Sequence, residues 1–182
     1  MEIVPIYPPY VYSVQYDDRE DAEFDRLFTL WNDMEYVCGF MEQNKEYLAN
    51  PVWGKTPEPE DAARQVLNEA EELEELFDEL NNNTVHGNKP DFDSHFKYLD
   101  GDYKFEFKQP PMKSYGTERP SLLRIYAIKL QPNTYIITGG GIKLADKIQN
   151  SPDLKEHVLK NIGKVIRYLK ENGVFDSNDL ED

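Results

Sequence analysis

The chain is nearly without cysteine. Cys38 is the single one among 182 residues, which excludes an internal disulfide and fits a reducing compartment. Long apolar runs are also missing. None approaches the roughly 20 residues that cross a bilayer, so no membrane segment is expected. The opening stretch MEIVPIYPPY has no basic region leading into an apolar one, so no secretory signal is read there. Together these absences predict a soluble cytoplasmic protein. Positive charge is scarce too: 20 Lys and Arg stand against 35 Asp and Glu, a formal net charge of −15. A chain this acidic repels polyphosphate, which argues against general nucleic-acid binding.

Aromatic side chains, by contrast, are plentiful. With 12 Tyr, 9 Phe and 2 Trp, the chain can fill a core with large rings, and its length suits one domain over residues 1–182 rather than two. The charge within that domain is segregated. Residues 1–100 hold 7 basic against 24 acidic side chains, and residues 102–170 hold 13 against 6. The first part therefore carries −17 and the second +7.

Periodicity divides the same two parts into elements. In residues 10–16, Tyr10, Tyr12, Val14 and Tyr16 alternate with smaller or polar residues, which predicts a strand bounded on its N-terminal side by Pro5, Pro8 and Pro9. From Glu20 the spacing becomes helical through Phe24, Leu27, Phe28 and Trp31, with a break near Asn32 and Asp33. The stripe Val66, Ala70, Leu73, Phe77 and Leu80 marks a second helix, whose remaining faces are covered by glutamates. The economical reading is an antiparallel helix pair, 20–48 against 58–82. Tyr103, Phe105 and Phe107 alternate with charged residues and predict a strand over 102–108, followed by a loop from Pro110 to Pro120. Residues 122–130 and 135–138 then form a hairpin across Gln131–Thr134. A final helix is capped by Ser151, has Pro152 in its first position and is closed by Gly173. The fold class is α+β: a small, mostly antiparallel sheet with a helix pair near the N-terminus and a helix at the C-terminus.

Gly139, Gly140 and Gly141 precede Lys143, a spacing that invites comparison with phosphate loops. It fits neither of the common ones. A Walker loop needs a hydroxyl residue directly after the lysine, where Leu144 stands, and the dinucleotide pattern needs a third glycine at an offset this segment does not supply. The glycines are instead expected to turn the chain off the sheet edge and expose backbone N–H groups beside Lys143 and Lys147. On the preceding strand Arg124, Tyr126 and Ile128 share one face, and Lys113, Tyr115 and Arg119 lie on the loop before it. Guanidinium and ammonium groups around tyrosines suit a phosphodiester. The competing reading has Arg124 paired to an acid of the first part and Tyr126 packed beneath a helix. Asp91, Asp93 and His95 would align in an extended chain, but a loop or cap explains the same acids, and no metal or other cofactor is expected. Cys38 reads as core.

Within residues 122–170, the run LLRIYAIKLQPNTYIITGGGIKLADKIQNSPDLKEHVLKNIGKVIRYL resembles the C-terminal half of RelE/HigB-type toxins of bacterial toxin–antitoxin systems. Arg124, the three glycines, Lys143, Lys147, Pro152 and the helix from Lys155 fall in comparable places. The resemblance implies the order β-α-α-β-β-β-α and an endoribonuclease that cleaves mRNA without a metal. In that chemistry the substrate 2′-hydroxyl is the nucleophile and basic side chains stabilise the phosphorane. It also implies an antitoxin partner and contact with RNA or the ribosome. Arg124, Lys143 and Tyr126 are the expected catalytic residues, and Lys147, Lys113 and Arg119 the expected substrate-binding ones. The alternative is a non-catalytic interaction protein on the same fold, whose acidic helices bind a partner.

Overall fold

A computed structural model describes residues 1–49, 56–85, 91–99, 111–115 and 120–180. Among them the architecture is α+β, with a six-stranded mixed sheet and five helices. The elements run β1 (Glu2–Tyr7), β2 (Val11–Gln15), α1 (Glu23–Trp31), α2 (Met34–Gln43), α3 (Lys45–Leu48), α4 (Pro59–Val85), β3 (Lys97–Tyr98), β4 (Pro111–Tyr115), β5 (Leu123–Gln131), β6 (Thr134–Ile142) and α5 (Val158–Glu171). The sheet order is β1-β2-β6-β5-β4-β3. Only the β2–β6 pairing is parallel; the other four are antiparallel.

β6 is buried along its whole length because α1 packs on one of its faces and α5 on the other. That is why its sequence is a nearly unbroken apolar and glycine run rather than an alternation. On the α1 face, Leu123, Ile125 and Ala127 of β5 join Phe24, Leu27 and Trp31 of α1 and Val66, Leu73 and Phe77 of α4. On the opposite face, Tyr126, Ile128 and Leu130 join Val158, Ile162, Val165 and Leu169 of α5. Each fully buried side chain of this size contributes about 1.5–3 kcal/mol of transfer free energy. α4 takes its orientation from the stripe Val66, Ala70, Leu73 and Phe77, all essentially inaccessible to water.

Several expectations need correction. Two strands, not one, precede the helices, and the segment 20–48 is three helices. The first break is where Asn32 ends α1 and the Asp33 carboxylate caps α2 by accepting from the Tyr36 N–H at 3.0 Å. Pro5 lies inside β1, which it can do because β1 is the sheet edge and its missing N–H is not needed by a neighbour. Residues 111–115 are a strand rather than a loop, with Pro111 tolerated as its first residue. The strand expected at 102–108 lies outside the described residues.

The hairpin expected across Gln131–Thr134 is present as β5 and β6, its turn taken by Asn133 at φ 61°, a conformation asparagine accepts. α5 begins at Val158, not at Pro152. Ser151 is not its cap. Its Oγ accepts from the Leu144 N–H at 3.0 Å, tying the turn to the end of β6. Gly173 follows α5 at φ 69°, as a helix-closing glycine should.

Candidate functional site

The glycines do not leave the sheet. Gly139, Gly140 and Gly141 lie inside β6, paired to Tyr126, Ile125 and Arg124 of β5, and all three are buried. Their smallness is used for packing. A Cβ on Gly140 would lie 2.5 Å from the Arg124 carbonyl oxygen and 2.8 Å from Leu27 Cδ1. One on Gly141 would lie 2.5 Å from Asp153 Oδ2 and 2.7 Å from Leu154 Cδ2. The space so kept is filled by Leu27 and Trp31 at Gly140 and by Asp153 and Leu154 at Gly141, while the Glu23 carboxylate lies 3.4 Å from where a Cβ on Gly139 would be. Glu23, fully buried, accepts from Arg26 Nε and Nη2 at 2.9 Å each and from Arg19. Asp153 Oδ2 accepts from the Ile142 N–H at 2.7 Å, and the His157 Nε2 lies 3.3 Å from the Gly140 carbonyl. Burial raises the Asp153 carboxyl above its ordinary value, against the opposing pull of the Ile142 N–H, His157 and Arg26. This cluster is an internal brace.

The basic concentration lies on the α5 side of the sheet, beyond the part that α5 covers. Alternation in β4 sends Met112 and Ser114 into buried positions and leaves Lys113 and Tyr115 half-buried. The register places Tyr115 opposite Arg124, Lys113 opposite Tyr126, and Lys97 of β3 opposite Lys113. Directly opposed residues share a face, so three strands deliver three cations to one ring. The Arg124 guanidinium carbon is 4.3 Å from the Tyr115 centroid, the Lys113 ammonium 5.5 Å and the Lys97 ammonium 5.7 Å. All are within cation–π range. Lys97, Tyr115, Pro120, Ser121 and Arg124 line a cleft of about 210 Å³ there.

Arg124 is held by its own strand's entrance. Its Nη1 donates to the Leu123 carbonyl at 2.6 Å and to both the carbonyl and the hydroxyl of Ser121 at 3.1 Å. The adjoining loop is gripped from below by α4. Glu69, an acid of the helix with no exposed surface, accepts from the Ser121 hydroxyl at 2.9 Å and from the Leu122 and Leu123 N–H groups at 3.0 Å. Gln65, one turn earlier, donates to Glu69 and to the Pro120 carbonyl, each at 2.7 Å.

The expected site residues thus separate. Arg124 and Lys113 converge. Tyr126 is 1 % exposed and packs with α5, so it cannot meet a substrate at the surface; the reading with this ring beneath a helix is the one observed. Lys143 follows the end of β6, its backbone N–H donating to the Leu122 carbonyl at 2.7 Å, and its ammonium donates to the Asp146 carbonyl. Lys147 is exposed on the following segment. Arg119 lies outside the described residues. Asp93 is drawn into a different task, accepting from Lys129 Nζ at 2.8 Å, Tyr135 Oη at 2.5 Å and the Asn133 N–H at 2.9 Å. Residues 92–94 form a 3-10 turn, so Asp91, Asp93 and His95 do not align as an extended chain would align them. Cys38 is half-buried on α2, its Sγ 3.4 Å from Met34 Sδ. Lys97 and Ser121 were not singled out in the sequence, and Glu69, counted there with the acids of the solvated helix face, is instead fully buried. Only Glu69 carried a local signal, an acid falling within the apolar arc Val66, Ala70, Leu73.

Among the described residues no helix is long and apolar enough to cross a membrane. Comparison with protein-family models, curated proteins and solved structures finds no match to this chain.

Proposed function

We propose that the chain is a RelE/HigB-like, toxin-type endoribonuclease that cleaves mRNA and is neutralised by a cognate antitoxin. The observation that carries this reading is the convergence of Lys97, Lys113 and Arg124 on the Tyr115 ring, beside a cleft at the sheet surface. A phosphodiester needs what that arrangement offers. The guanidinium is a planar double donor for phosphate oxygens, and the ammoniums are point charges that neutralise the growing negative charge of a phosphorane. In the proposed step the substrate's O2′–P bond forms and its P–O5′ bond breaks. The 2′-hydroxyl proton leaves to solvent, and an ammonium of Lys97 or Lys113 protonates the departing O5′.

The test is induced expression with a growth readout, paired with cleavage of purified mRNA. Arg124→Ala should relieve growth arrest and slow cleavage by about 10²–10³, the usual cost of one charge-stabilising donor, while the protein stays soluble and folded. Growth arrest and cleavage that persist in Arg124→Ala would overturn the reading. So would the absence of both in the wild type, and that result would favour the non-catalytic interaction protein.

A further inference from the structure

We infer that Glu69, on the acidic helix α4, is the positioning residue for Arg124, acting through the Ser121 hydroxyl. This rests on the reading of Arg124 as a phosphate ligand, and it identifies what orients that ligand.

The argument is one of hydrogen-bond direction. A serine hydroxyl has one proton and two lone pairs. Arg124 Nη1 can only donate, so at 3.1 Å the Ser121 oxygen accepts from it. A carboxylate can only accept, so at 2.9 Å the Ser121 proton goes to Glu69 Oε2. The hydroxyl proton is therefore directed away from Arg124, and its lone pair is turned toward the guanidinium. The Ser121–Leu123 carbonyl contact at 3.2 Å would demand the same proton. Glu69 is the stronger claimant, because it is charged and closer.

The carboxylate cannot swing aside. Besides Ser121, it takes the Leu122 and Leu123 N–H groups and the Gln65 amide. Those bonds fix the turn through which the chain enters β5. The same turn presents the Ser121 and Leu123 carbonyls that hold Arg124 Nη1. One buried acid thus sets three acceptors around one guanidinium nitrogen. With Nη1 committed to the turn, the plane of the guanidinium is fixed against the Tyr115 ring at 4.3 Å. Ground-state orientation of this kind is what a transition-state donor needs, since a misplaced donor loses most of its effect.

The experiment combines two measurements. The first is affinity for a short fluorescein-labelled single-stranded RNA. Arg124→Ala should weaken it about tenfold or more, the effect of losing a hydrogen bond from a charged donor. Ser121→Ala and Glu69→Gln should each weaken it several-fold. In the Arg124→Ala background neither should weaken it further, and with Arg124 in place Ser121→Thr, which keeps the hydroxyl, should bind as tightly as the wild type. Equal losses in both backgrounds would mean that Ser121 and Glu69 merely support the fold, and the inference would fall. The second measurement is the Arg124 Nε–H resonance in heteronuclear NMR of the free protein. It should shift toward that of a solvent-exposed arginine in Ser121→Ala and Glu69→Gln, and return in Ser121→Thr. An unmoved resonance also overturns the inference. If the resonance moves but Arg124→Ala leaves RNA affinity unchanged, positioning stands and the RNA reading of the site is what fails. Should Glu69→Gln not fold, Ser121→Ala alone decides both measurements.

Discussion

Adding single methyl groups at the glycines should separate their packing role from an anion-binding one, because the structure assigns opposite signs to different positions. Gly140→Ala puts a Cβ 2.5 Å from a backbone carbonyl of the neighbouring strand and 2.8 Å from Leu27. The carbonyl belongs to Arg124 in the central ladder and cannot retreat without parting β5 from β6. Overpacking typically costs about 1–3 kcal/mol, and a rigid backbone neighbour places this site at the upper end. About 3 kcal/mol in a domain of this size lowers the melting temperature by about 6–12 °C. Gly141→Ala meets the Asp153 carboxylate at 2.5 Å. It should add the loss of the Asp153–Ile142 bond, about 1 kcal/mol.

The controls lie in helices. Gly39 of α2 and Gly163 of α5 have nothing within 4 Å of a new Cβ, and neither shows a positive φ. Glycine in a helix interior costs about 0.5–1 kcal/mol relative to alanine, so Gly39→Ala and Gly163→Ala should each raise the melting temperature by about 1–4 °C. Thermal denaturation followed by circular dichroism, checked by urea midpoints, reads all four variants. A Gly140→Ala protein that melts within about 1 °C of the wild type would refute the packing argument. If that variant kept its stability and lost affinity for a phosphate ligand, the glycines would be an anion cradle after all.

Much of this fold was legible because its signals are local. The hairpin of β5 and β6 is written in two apolar runs around Pro132 and Asn133, and the stripe of α4 in a spacing of three and four residues. What escaped was decided by tertiary contact. Ser151 has every local feature of a helix cap, yet Ile142 and Leu144 claim its hydroxyl and α5 starts seven residues later. Pro5 breaks a strand in general, but not one at a sheet edge. Three adjacent glycines look like a turn, and here they make room for side chains from α1 and from the segment before α5. The basic site was legible only in part. Arg124 and Lys113 were readable as residue types, but their meeting with Lys97 around Tyr115 depends on the register of three strands, which no short window of sequence contains. Glu69 is one of many acids on its helix. Its burial follows from its place on the helical arc, and its partners from where β5 begins.

The remaining expectations are electrostatic. Asp153→Asn keeps an acceptor for the Ile142 N–H and removes a buried charge. Because the folded-state value of Asp153 is raised, its stabilising contribution is complete below the unfolded value of about 4 and is lost as the pH rises through the folded one. The variant should therefore gain on the wild type in urea midpoint from acid toward neutral pH; a gap that does not change with pH would refute this. Glu23→Gln leaves Arg19 and Arg26 facing a neutral amide, at a cost of about 2–3 kcal/mol. That is less than the roughly 3–5 kcal/mol for a wholly buried pair, because about a quarter of each arginine side chain still reaches water. An unchanged urea midpoint would show that Glu23 does not brace the sheet. The last expectation concerns salt, and it follows from placing the basic cleft on one face of the sheet while α4 carries its exposed acids beyond the other. At about 0.15 M salt the screening length is roughly 8 Å, shorter than the roughly 10 Å diameter of the intervening helix, so RNA at the cleft feels the nearby cations and little of the rest. At about 0.01 M it is roughly 30 Å, and the whole charge of −15 repels the strand. Affinity for a short RNA should thus rise from about 0.01 to about 0.1 M salt before declining, where a protein governed by contact charges alone shows only the decline. Glu71→Gln, Glu75→Gln and Glu79→Gln together should lessen the low-salt loss, since they remove part of that charge. Affinity that falls steadily from the lowest salt, in the wild type and in that variant alike, would show that the acidic face has no influence on the cleft.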